Sequence, residues 1–436
     1  MTEHRRNPLL PSTDHAPSYY AASVGELPAW PSLAEDTRAE TCIIGGGFAG
    51  LSAALHLAVR GRKVVLLEQS RLGWGASGRN GGQVHVGMRR EQPWLERKLG
   101  PADARHLWEL ALDAREHLDA TCRRHAIDCD FRPGLLHTNH KERFTEETRH
   151  HVEHLRQTYG YEHIRFVDRD EVRSLVASRD YYSGALDARG GHLHPLKLAL
   201  GLAKAAQGAG ARLHEGTEVV SVRRESSAWR VQTNRSSVRA DQVVLACNGY
   251  LRGISREVEA HVMPINNFVA VTEPLGRERA LGLIRDGLAV ADSRFVVNYF
   301  RMTVDHRLLF GGGENYRYSF PHDIRAFVRK HVLQVFPQLA DVRFDHGWGG
   351  TLAITPSRMP YIRELEPGFF NLSGFSGLGV VLAPYAGKIL ADALHGECAR
   401  FDLLARVPVP RFPGGPALRW PTLVAAMSLY ALRDRI

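Results

Sequence analysis

Apolar positions between residues 40 and 70 follow a strand pattern, then a helical pattern, then a strand pattern again. The run TCII at 41–44 is apolar and rich in β-branched residues, which is typical of a buried strand. Small and apolar side chains recur at helical spacing over 48–60, and a second apolar run, VVLL, occupies 64–67. The pattern predicts a strand–helix–strand unit.

Glycines stand at the turn between the first strand and the helix. Gly45, Gly47 and Gly50 have G-x-G-x-x-G spacing, and Glu68 ends the second strand. In such a unit the glycines permit a tight turn, a close approach to a pyrophosphate and close helix–strand packing, while the acid accepts hydrogen bonds from ribose hydroxyls. The helix N-terminus offers N–H groups to the phosphates. The order of these features predicts an ADP-binding site, with contacts at Gly45, Gly47, Phe48, Ala49, Gly50, Glu68 and Gln69.

A glycine-rich segment follows the acid and decides between dinucleotides. Residues 73–87 contain six glycines, too little side-chain volume for a core. The segment is either a flexible surface loop or a stretch whose backbone lies against a large flat ligand. Its position favours the ligand, and its amides and polar side chains can bond a pyrophosphate and an isoalloxazine ring. We therefore expect FAD rather than NAD, with contacts at Ser77, Gly78, Arg79, Asn80, Gly81, Gly82 and Gln83.

Later segments return to the same patterns. Pro195 begins an amphipathic helix, and alternating runs after residue 211 predict antiparallel strands. An apolar strand ends at Asn248 and Gly249. The segment GFSGLG at 374–379 opens a helix whose N–H groups would face the flavin's pyrimidine oxygens, although a plain glycine turn before a core helix is the alternative.

Composition and charge narrow the class of protein. The 436 residues, 44% of them hydrophobic, suggest two globular domains. The net charge is +9, but basic and acidic residues are interspersed, which disfavours nucleic acid as a partner. Five scattered cysteines suit a reducing compartment. The N-terminal segment lacks the apolar core of a signal peptide, and no run reaches the roughly 18 apolar residues of a membrane span, so we expect a cytoplasmic protein.

Other chemistries find weaker support. His192 and His194 share a strand face without a third ligand at suitable spacing, so we expect buried or capping histidines and no metal. Cys122 and Cys129 lack the second pair of a zinc site. The amphipathic segment 420–436 predicts a helix that packs on the body or on another subunit rather than in a membrane, which leaves oligomerisation open.

Taken in order, several motifs resemble the D-amino-acid-oxidase superfamily of FAD-dependent oxidoreductases, and within it the gamma-glutamylputrescine oxidases. The matching segments are SYYAAS, GASGRNGGQV, IDCDFRPGLL, GGHLHPLKLA, YFRMTVDHRLLFGGG, SRMP, GFSGLGV and the tail RFPGGPALRWP. The resemblance implies an α/β fold of two-domain α+β organisation, in which a Rossmann-type FAD-binding domain carries a discontinuous substrate domain built on an antiparallel sheet. The implied boundaries are an N-terminal arm (1–37), an FAD-binding domain (38–92, 165–262 and 346–400), a substrate domain (93–164 and 263–345) and a C-terminal tail with a helix (401–436).

The resemblance also implies further cofactor contacts. The backbone of Val219 would bond the adenine edge, and the other implied FAD contacts are Asn248, Gly249, Gly350, Gly374, Gly377, Leu378, Gly379 and Val380. Relatives with covalent flavin carry a cysteine in the strand near 348–360 or a histidine in the glycine loop. This chain has no cysteine in that strand, and Gly78 and Arg79 stand in the loop, so we expect noncovalent FAD.

The resemblance places the substrate beside the segment NYFR. Tyr299 and Arg301 share one strand face, and they are the candidate catalytic residues together with Gln83, although Tyr299 also suits a core position. Val380 and Leu309 occupy places where amino-acid-oxidising relatives carry lysines for the substrate carboxylate and for oxygen. An α-carboxylate would be left unpaired in such a pocket, which favours a plain amine.

Charged residues near this strand supply two weaker expectations. Arg301 or Arg358 would bind a distal carboxylate, and Asp292 or Glu314 a substrate ammonium.

The expected function is oxidation of a primary amine of the gamma-glutamylputrescine type to an aldehyde, with release of ammonia and hydrogen peroxide. A dehydrogenase for a related amine or amino acid that uses an acceptor other than oxygen is the first alternative. A flavin-binding module without turnover is the second.

Overall fold

The computed structural model describes residues 14–315, 319–415 and 421. The strands in this part of the chain are β1 (Thr37–Ile44), β2 (Val64–Leu67), β3 (Gln83–Val84), β4 (Arg132–Asn139), β5 (Ile164–Val167), β6 (Ser183–His192), β7 (Arg212–His214), β8 (Val219–Glu225), β9 (Ala228–Thr233), β10 (Ser237–Leu245), β11 (Met263–Thr272), β12 (Ala289–Asp292), β13 (Tyr299–Met302), β14 (Leu308–Asn315), β15 (Phe344–Ile354), β16 (Tyr361–Glu366) and β17 (Phe369–Ser373). The helices are α1 (Tyr19–Ser23), α2 (Phe48–Val59), α3 (Gln92–Leu99), α4 (Pro101–Arg124), α5 (Thr145–Tyr159), α6 (Arg169–Leu175), α7 (Pro195–Gly208), α8 (Arg256–His261), α9 (Arg277–Leu283), α10 (Ile324–Val335), α11 (Gly379–Ala393) and α12 (Ala399–Arg406).

The first sheet has the strand order expected of a dinucleotide-binding domain. Strands β17, β10, β1, β2 and β7 are parallel neighbours, and β16 adds an antiparallel edge. Strands β8 and β9 continue from β10 as an antiparallel meander. Helix α2 packs between α7 and α11, and its small residues let these helices approach closely. Apolar runs such as TCII are buried because helices cover the parallel sheet.

The second sheet has nine strands within the described residues, of which β11, β13, β14 and β15 are antiparallel neighbours. The side chains of β13 alternate between its two faces. Phe300 packs against Phe310 and Phe336 on the face that α10 covers, with ring centroids 5.3 and 5.1 Å apart. Tyr299 and Arg301 therefore point to the opposite face, toward the glycine-rich segment that follows β2.

At two of the predicted domain boundaries, the chain passes from the second sheet to the first later than predicted. Strand β6, which follows residue 165, pairs with β4 and β5 in the second sheet, and β15 crosses residue 346 while still paired with β11. The pairing partners lie far away along the chain, so the local pattern of apolar residues does not reveal which sheet a strand joins. The division into two domains with these boundaries remains a proposal.

Two motifs with expected positions can be compared with the structure. His194 is the N-cap of α7, where its Nδ1 accepts from the N–H of Lys197 at 3.2 Å, and His192 Nε2 lies 3.0 Å from the carbonyl oxygen of Gly287. Across residues 14–315, 319–415 and 421, none of the helices combines the length and the apolar character that a bilayer crossing requires. The predicted C-terminal helix at 420–436 lies outside the described residues.

Two partly buried histidines predict acid sensitivity of the fold. The rings of His56 on α2 and His117 on α4 lie 5.0 Å apart, and burial lowers their pKa values to about 3 and about 4. The unfolded chain takes up protons at these side chains below about pH 6.5, whereas the folded chain keeps them neutral, so stability falls as the pH drops toward about 4. Thermal midpoints measured between about pH 7.5 and 5 should show this fall. The double variant His56→Gln/His117→Gln should make it less steep, with the remainder due to other histidines of lowered pKa such as His137, and an unchanged slope would contradict the assignment.

Candidate active site

The turn between β1 and α2 admits only glycine at two positions. A Cβ atom on Gly50 would lie 2.0 Å from the carbonyl oxygen of Gly45, so no side chain fits there. Gly45 itself has φ +112°, and its Cβ would lie 2.7 Å from the carbonyl oxygen of Ala246 on the neighbouring strand end. The turn is therefore as tight as the G-x-G-x-x-G spacing predicts.

Two cavities lie end to end along this turn. The first, of about 230 Å³, lies between the ends of β1, β2 and β10, and the second, of about 100 Å³, reaches the N-terminus of α11. Gly47, Ser77 and Asn248 line both. The predicted cofactor residues that line one or both are Gly45, Gly47, Phe48, Ala49, Glu68, Gln69, Ser77, Asn80, Val219, Asn248, Gly377, Gly379 and Val380. Together the cavities form an elongated groove that begins at the carboxylate of Glu68.

Four predicted glycines support the groove from behind. A Cβ on Gly249 would lie 2.8 Å from the carbonyl oxygen of Leu352, and one on Gly350 would lie 3.1 Å from Cβ of Arg79. Gly374 donates its N–H to Asn248 Oδ1 at 3.1 Å. Gly78 packs against α7, where a Cβ would lie 3.0 Å from Leu196. These residues set the spacing of the walls.

The carboxylate of Glu68 closes the β1–α2 turn and still has capacity for a ligand. Oε2 accepts from the N–H of Gly46 at 2.7 Å, and Oε1 accepts from the N–H of Ser70 at 2.8 Å. Burial raises the pKa of Glu68, and these backbone donors oppose the rise. An ionised carboxylate has about four acceptor positions, so about two remain for hydroxyl groups in the cavity.

The glycine-rich segment is held by its own polar side chains. Asn80 donates to the carbonyls of Ala76 and Ser77 and accepts from the N–H of Gly82 at 2.7 Å. Arg79 donates to the carbonyls of Trp74 and Gly349. These side chains order the loop, and the N–H groups of Gly78, Arg79 and Asn80 are also bonded within it.

Gln83 at the end of this loop is also bonded to the protein. Its Nε2 donates to the carbonyl oxygen of Val290 on β12 at 2.7 Å. The amides of Asn80 and Gln83 therefore have a loop-ordering role in this structure. Their contacts with a bound cofactor or substrate stay predictions.

Comparison with known proteins decides the family. The model of the DAO family, described as FAD dependent oxidoreductase, matches residues 40–393. The chain belongs to this family. The match confirms the resemblance to the D-amino-acid-oxidase superfamily, the fold class and FAD as the cofactor.

Relatives of this flavoenzyme cover nearly its whole length. It is 42% identical to the probable oxidoreductase OrdL of Rhizobium meliloti, over 96% of this chain and 97% of that protein. It is 38% identical to the gamma-glutamylputrescine oxidoreductase of Escherichia coli, over 97% and 99%. The crystal structure of glycine oxidase from Geobacillus kaustophilus superimposes with a TM-score of 0.73 at 22% identity, over 86% of this chain and all of that one, which shows a common fold.

The residues of the groove fit FAD. The groove extends from Glu68 to the start of α11, and a side chain at Gly45 or Gly50 of its turn would collide with backbone atoms. Glu68 offers spare acceptors at one end. At the other end α11 begins at Gly379 with no side chain capping it among the described residues, so its first N–H groups and partial positive charge are available to a ligand. Glu68 would hold the ribose and Val219 the adenine edge, while the start of α11 would face the flavin.

We expect this flavoenzyme to release FAD when it is denatured by acid or heat. The cavity next to α11 is lined, among the described residues, by no cysteine, histidine or tyrosine that could form a bond to the flavin. The measurement is flavin absorbance in the supernatant after precipitation and centrifugation. A yellow pellet that keeps its flavin through washing in denaturant would contradict the prediction.

We call the glycine-rich segment 73–87 the flavin loop, and this segment and 374–379 together the flavin loops. A third cavity, of about 390 Å³, lies next to them. It contains Leu378, from the segment that precedes α11, and His85, two residues beyond Gln83. Its other walls come from β4, β12, α4 and α5, and include Trp108, His137 and Asp292. The cavity thus lies beside the segment that precedes α11 and against strands of the second sheet.

Tyr299 stands in a row of residues that crosses the second sheet above this region. Strand pairing aligns Ala185, His137, Ala291, Tyr299 and Gly311, and paired residues share one face.

The ring of Tyr299 packs against the flavin loop. A Cβ on Gly81 would lie 2.4 Å from it, and its hydroxyl donates to Asn267 Oδ1 at 2.5 Å. Tyr299 therefore forms a wall at the flavin loop, where it was expected to contact substrate.

Arg301 lies behind the flavin loop. Its Nε donates to the carbonyl of Gly81 at 2.9 Å, and Nη2 donates to the carbonyl of Leu193 at 3.1 Å and to the hydroxyl of Tyr20 at 3.3 Å. The side chain is 4% exposed. These contacts make Arg301 a positioning residue in this structure, while its expected catalytic role and its expected contact with a distal carboxylate stay predictions.

The predicted acids have different outcomes. Asp292 lines the third cavity, but its carboxylate is ion-paired with Arg294 and accepts from the N–H of Asn298 at 2.9 Å. Burial raises its pKa to about 6. The side chain of Glu314 lies outside the part that the structure describes. The carboxylate of Asp292 therefore bonds residues of its own loop, and its contact with a substrate ammonium stays a prediction.

The N-terminal arm contributes a residue that sequence reasoning missed. Tyr20 on α1 is fully buried, and its hydroxyl donates to the carbonyl of Asn80 at 2.8 Å while it accepts from Arg301. Its ring lies 5.1 Å from that of Trp348. We name these contacts the Tyr20 clasp, defined by Tyr20, Asn80 and Arg301. Only the motif SYYAAS marked this segment, and it carried no indication of the contacts.

Two histidines of the third cavity were also missed. His85 follows Gln83 at a spacing of two, the period of a strand, so its approach to the flavin loop could have been inferred. His137 comes from β4, and its place beside β12 depends on strand pairing between distant segments. No local signal in the sequence indicates that neighbour.

Proposed function

We propose that this enzyme oxidises a primary amine of the gamma-glutamylputrescine type to an aldehyde, with release of ammonia and hydrogen peroxide. The observation that carries the proposal is the third cavity, which reaches the flavin loops at Leu378 and lies under the same sheet face as Tyr299. Its volume of about 390 Å³ suits a small molecule, since such sites span roughly 300–1,000 Å³. The relative named gamma-glutamylputrescine oxidoreductase supports the choice of substrate class.

The apolar residues at two family positions support an amine over an α-amino acid. Val380 is 5% exposed at the start of α11, and Leu309 is fully buried on the face of β14 that Arg301 shares. Neither offers an ammonium group to a substrate carboxylate. A carboxylate next to the reacting carbon would gain no partner from these two residues, and burial without a partner costs several kcal/mol.

The side chains of the cavity favour the reactive form of an amine. Bound FAD accepts a hydride equivalent from the carbon next to nitrogen. The nitrogen must carry a free lone pair for this, so the amine must be neutral. Tyr299 packs against Gly81 and Trp108 lines the cavity, and aromatic walls that reduce the hydration of a bound amine would lower its pKa. These residues would thus hold the neutral amine beside the flavin loop.

The final electron acceptor and the cellular location complete the proposal. Oxygen is the proposed acceptor, and a dehydrogenase that uses another acceptor is the second candidate, because Leu309 stands where an oxygen-assisting lysine is expected.

We place the enzyme in the cytoplasm, in keeping with five cysteines that are all free thiols.

Anaerobic mixing with a panel of amines tests the proposal. The FAD-loaded enzyme is mixed with gamma-glutamylputrescine, putrescine, glycine and sarcosine, and bleaching of the flavin absorption is followed. We expect the fastest bleaching with gamma-glutamylputrescine and recovery of the absorption when oxygen is admitted. Recovery only with an artificial acceptor would favour the dehydrogenase, and no bleaching with any amine would reject the proposal.

A further inference from the structure

A pair of histidines faces the third cavity from two different segments. His85 follows β3, His137 lies on β4, and their ring centroids are 5.3 Å apart. Both rings line the cavity that Leu378 also lines. The two imidazoles therefore meet next to the flavin loop, although 52 positions separate them in the sequence numbering.

Neither imidazole is engaged by the protein. Within the part of the chain that the structure describes, neither His85 nor His137 forms a hydrogen bond or an ion pair. Other buried histidines differ: His192 contacts the carbonyl of Gly287, and His194 caps α7. A pair of imidazoles without protein partners has its ring nitrogens available to a ligand.

The surface of His137 opens on the cavity. Burial lowers its pKa to about 4, with smaller contributions from His151 and Arg89, yet the residue keeps a large accessible surface. A side chain that is deep in the protein and still accessible faces an internal space. His85 is partly exposed, and burial lowers its pKa well below the usual value, helped by His137 and Arg89.

The position of the pair relative to the flavin loop follows from the sheet. His137 and Tyr299 flank Ala291 in the same row, so about two strand spacings, or roughly 10 Å, separate their backbones. Tyr299 contacts Gly81 of the flavin loop, and His85 leaves that loop two residues after Gln83. A small amine between the pair and Tyr299 would lie at the flavin loop.

Resting on the proposed function, we propose that His85 and His137 form the binding site for the nitrogen of the reacting primary amine. The neutral imidazoles accept hydrogen bonds from its N–H groups and so leave its lone pair free. The burial that lowers the pKa values of the two imidazoles also disfavours an ammonium ion between them. The pair therefore selects the neutral form of the amine and orients its nitrogen.

Charged groups around the pair do not reverse this selection. The acids Asp187 and Asp292 line the cavity but are engaged, Asp187 by the hydroxyl of Tyr161 and Asp292 by Arg294. The remaining charged or titratable side chains that line it are Arg89, Arg90, Glu91, Glu147 and His151. Arg89, Glu91 and Glu147 are exposed to solvent, which screens their charge.

Leucine and glutamine variants test the pair in the FAD-loaded enzyme. tert-Butylamine is the first probe, because it has no hydrogen on the carbon next to nitrogen and cannot be oxidised. Its binding is measured from the change in the flavin spectrum. We expect His85→Leu and His137→Leu to weaken this binding about tenfold or more, and the glutamine variants to retain part of it because an amide can accept one hydrogen bond. His150→Gln, at an exposed position of α5 that does not line the cavity, is the matched control and should bind like the parent.

Binding and turnover are then compared. Anaerobic reduction by gamma-glutamylputrescine should slow in both leucine variants, and its pH midpoint should rise, while FAD affinity and the thermal midpoint stay near the parent values. If the parent binds tert-butylamine through the pair but no amine bleaches its flavin, the proposed function fails and the binding site stands. If the parent does not bind tert-butylamine, or if the leucine variants bind it as the parent does, the assignment of the pair is wrong whatever the turnover.

Discussion

Replacing Glu68 by alanine should raise the dissociation constant of FAD roughly tenfold to a hundredfold, equivalent to about 1.5–3 kcal/mol. The carboxylate faces the first cavity and accepts from the N–H groups of Gly46 and Ser70 while it keeps acceptor positions for the ribose. Alanine removes the charged acceptor and leaves these two donors without their partner. The measurement is a fluorescence titration of the apoprotein with FAD.

Two matched variants separate the ribose contact from general effects of charge. Glu68→Gln keeps the reach of the side chain without its charge, so its loss of affinity should be smaller than that of Glu68→Ala. Glu218→Ala removes a second carboxylate from the wall of the same cavity, and it should leave FAD binding unchanged or stronger, because the pyrophosphate is negative. Equal affinity in the parent and Glu68→Ala would remove Glu68 from the cofactor site.

The rate of flavin reduction by a primary amine should rise with pH and level off, with a midpoint below the value of about 10 that is usual for an alkylammonium. The rise reports the fraction of bound amine that is neutral. Tyr299→Phe should slow reduction moderately and leave FAD affinity intact, because the ring still packs against Gly81 while the bond to Asn267 is lost. Tyr299→Ala should slow it more and move the midpoint upward, because water then enters beside the amine.

Stopped-flow reduction under anaerobic conditions between about pH 6 and 10 checks this prediction. Comparison of the phenylalanine and alanine variants separates the hydroxyl from the aromatic wall. A rate that does not change with pH in the parent would contradict selection of the neutral amine. If both variants reduce like the parent, Tyr299 is a core residue and the amine binds elsewhere.

Local constraints made the cofactor half of the site predictable. The contact that forbids a side chain at Gly50 is with Gly45, five positions earlier, so the spacing of the motif already contains it. The alternation of Tyr299 and Phe300 between sheet faces likewise follows from the period of a strand. Such features depend on neighbours in sequence, which the pattern of residues records.

Contacts between distant segments account for what the sequence did not reveal. Arg301 looked like an anchor for substrate, but its bonds go to Gly81 and Leu193, which lie 220 and 108 positions away. The pairing of His137 with Ala291 joins strands from the two insertions in the same way. Each such contact depends on how whole strands pair. The sequence therefore reveals a charged or titratable side chain, but it does not reveal which distant residues that side chain contacts.

The Tyr20 clasp sets an order of events during synthesis. Tyr20 emerges among the first residues of the nascent chain, Asn80 follows, and Arg301 is joined 281 positions after Tyr20. The flavin loop therefore lacks its full set of bonds until the last of the three has left the ribosome. Tyr20 lies before the family-matched segment 40–393, whereas Asn80 lies within it. A shortened gene that begins at residue 40 would therefore encode an enzyme whose flavin loop lacks the bond from Tyr20.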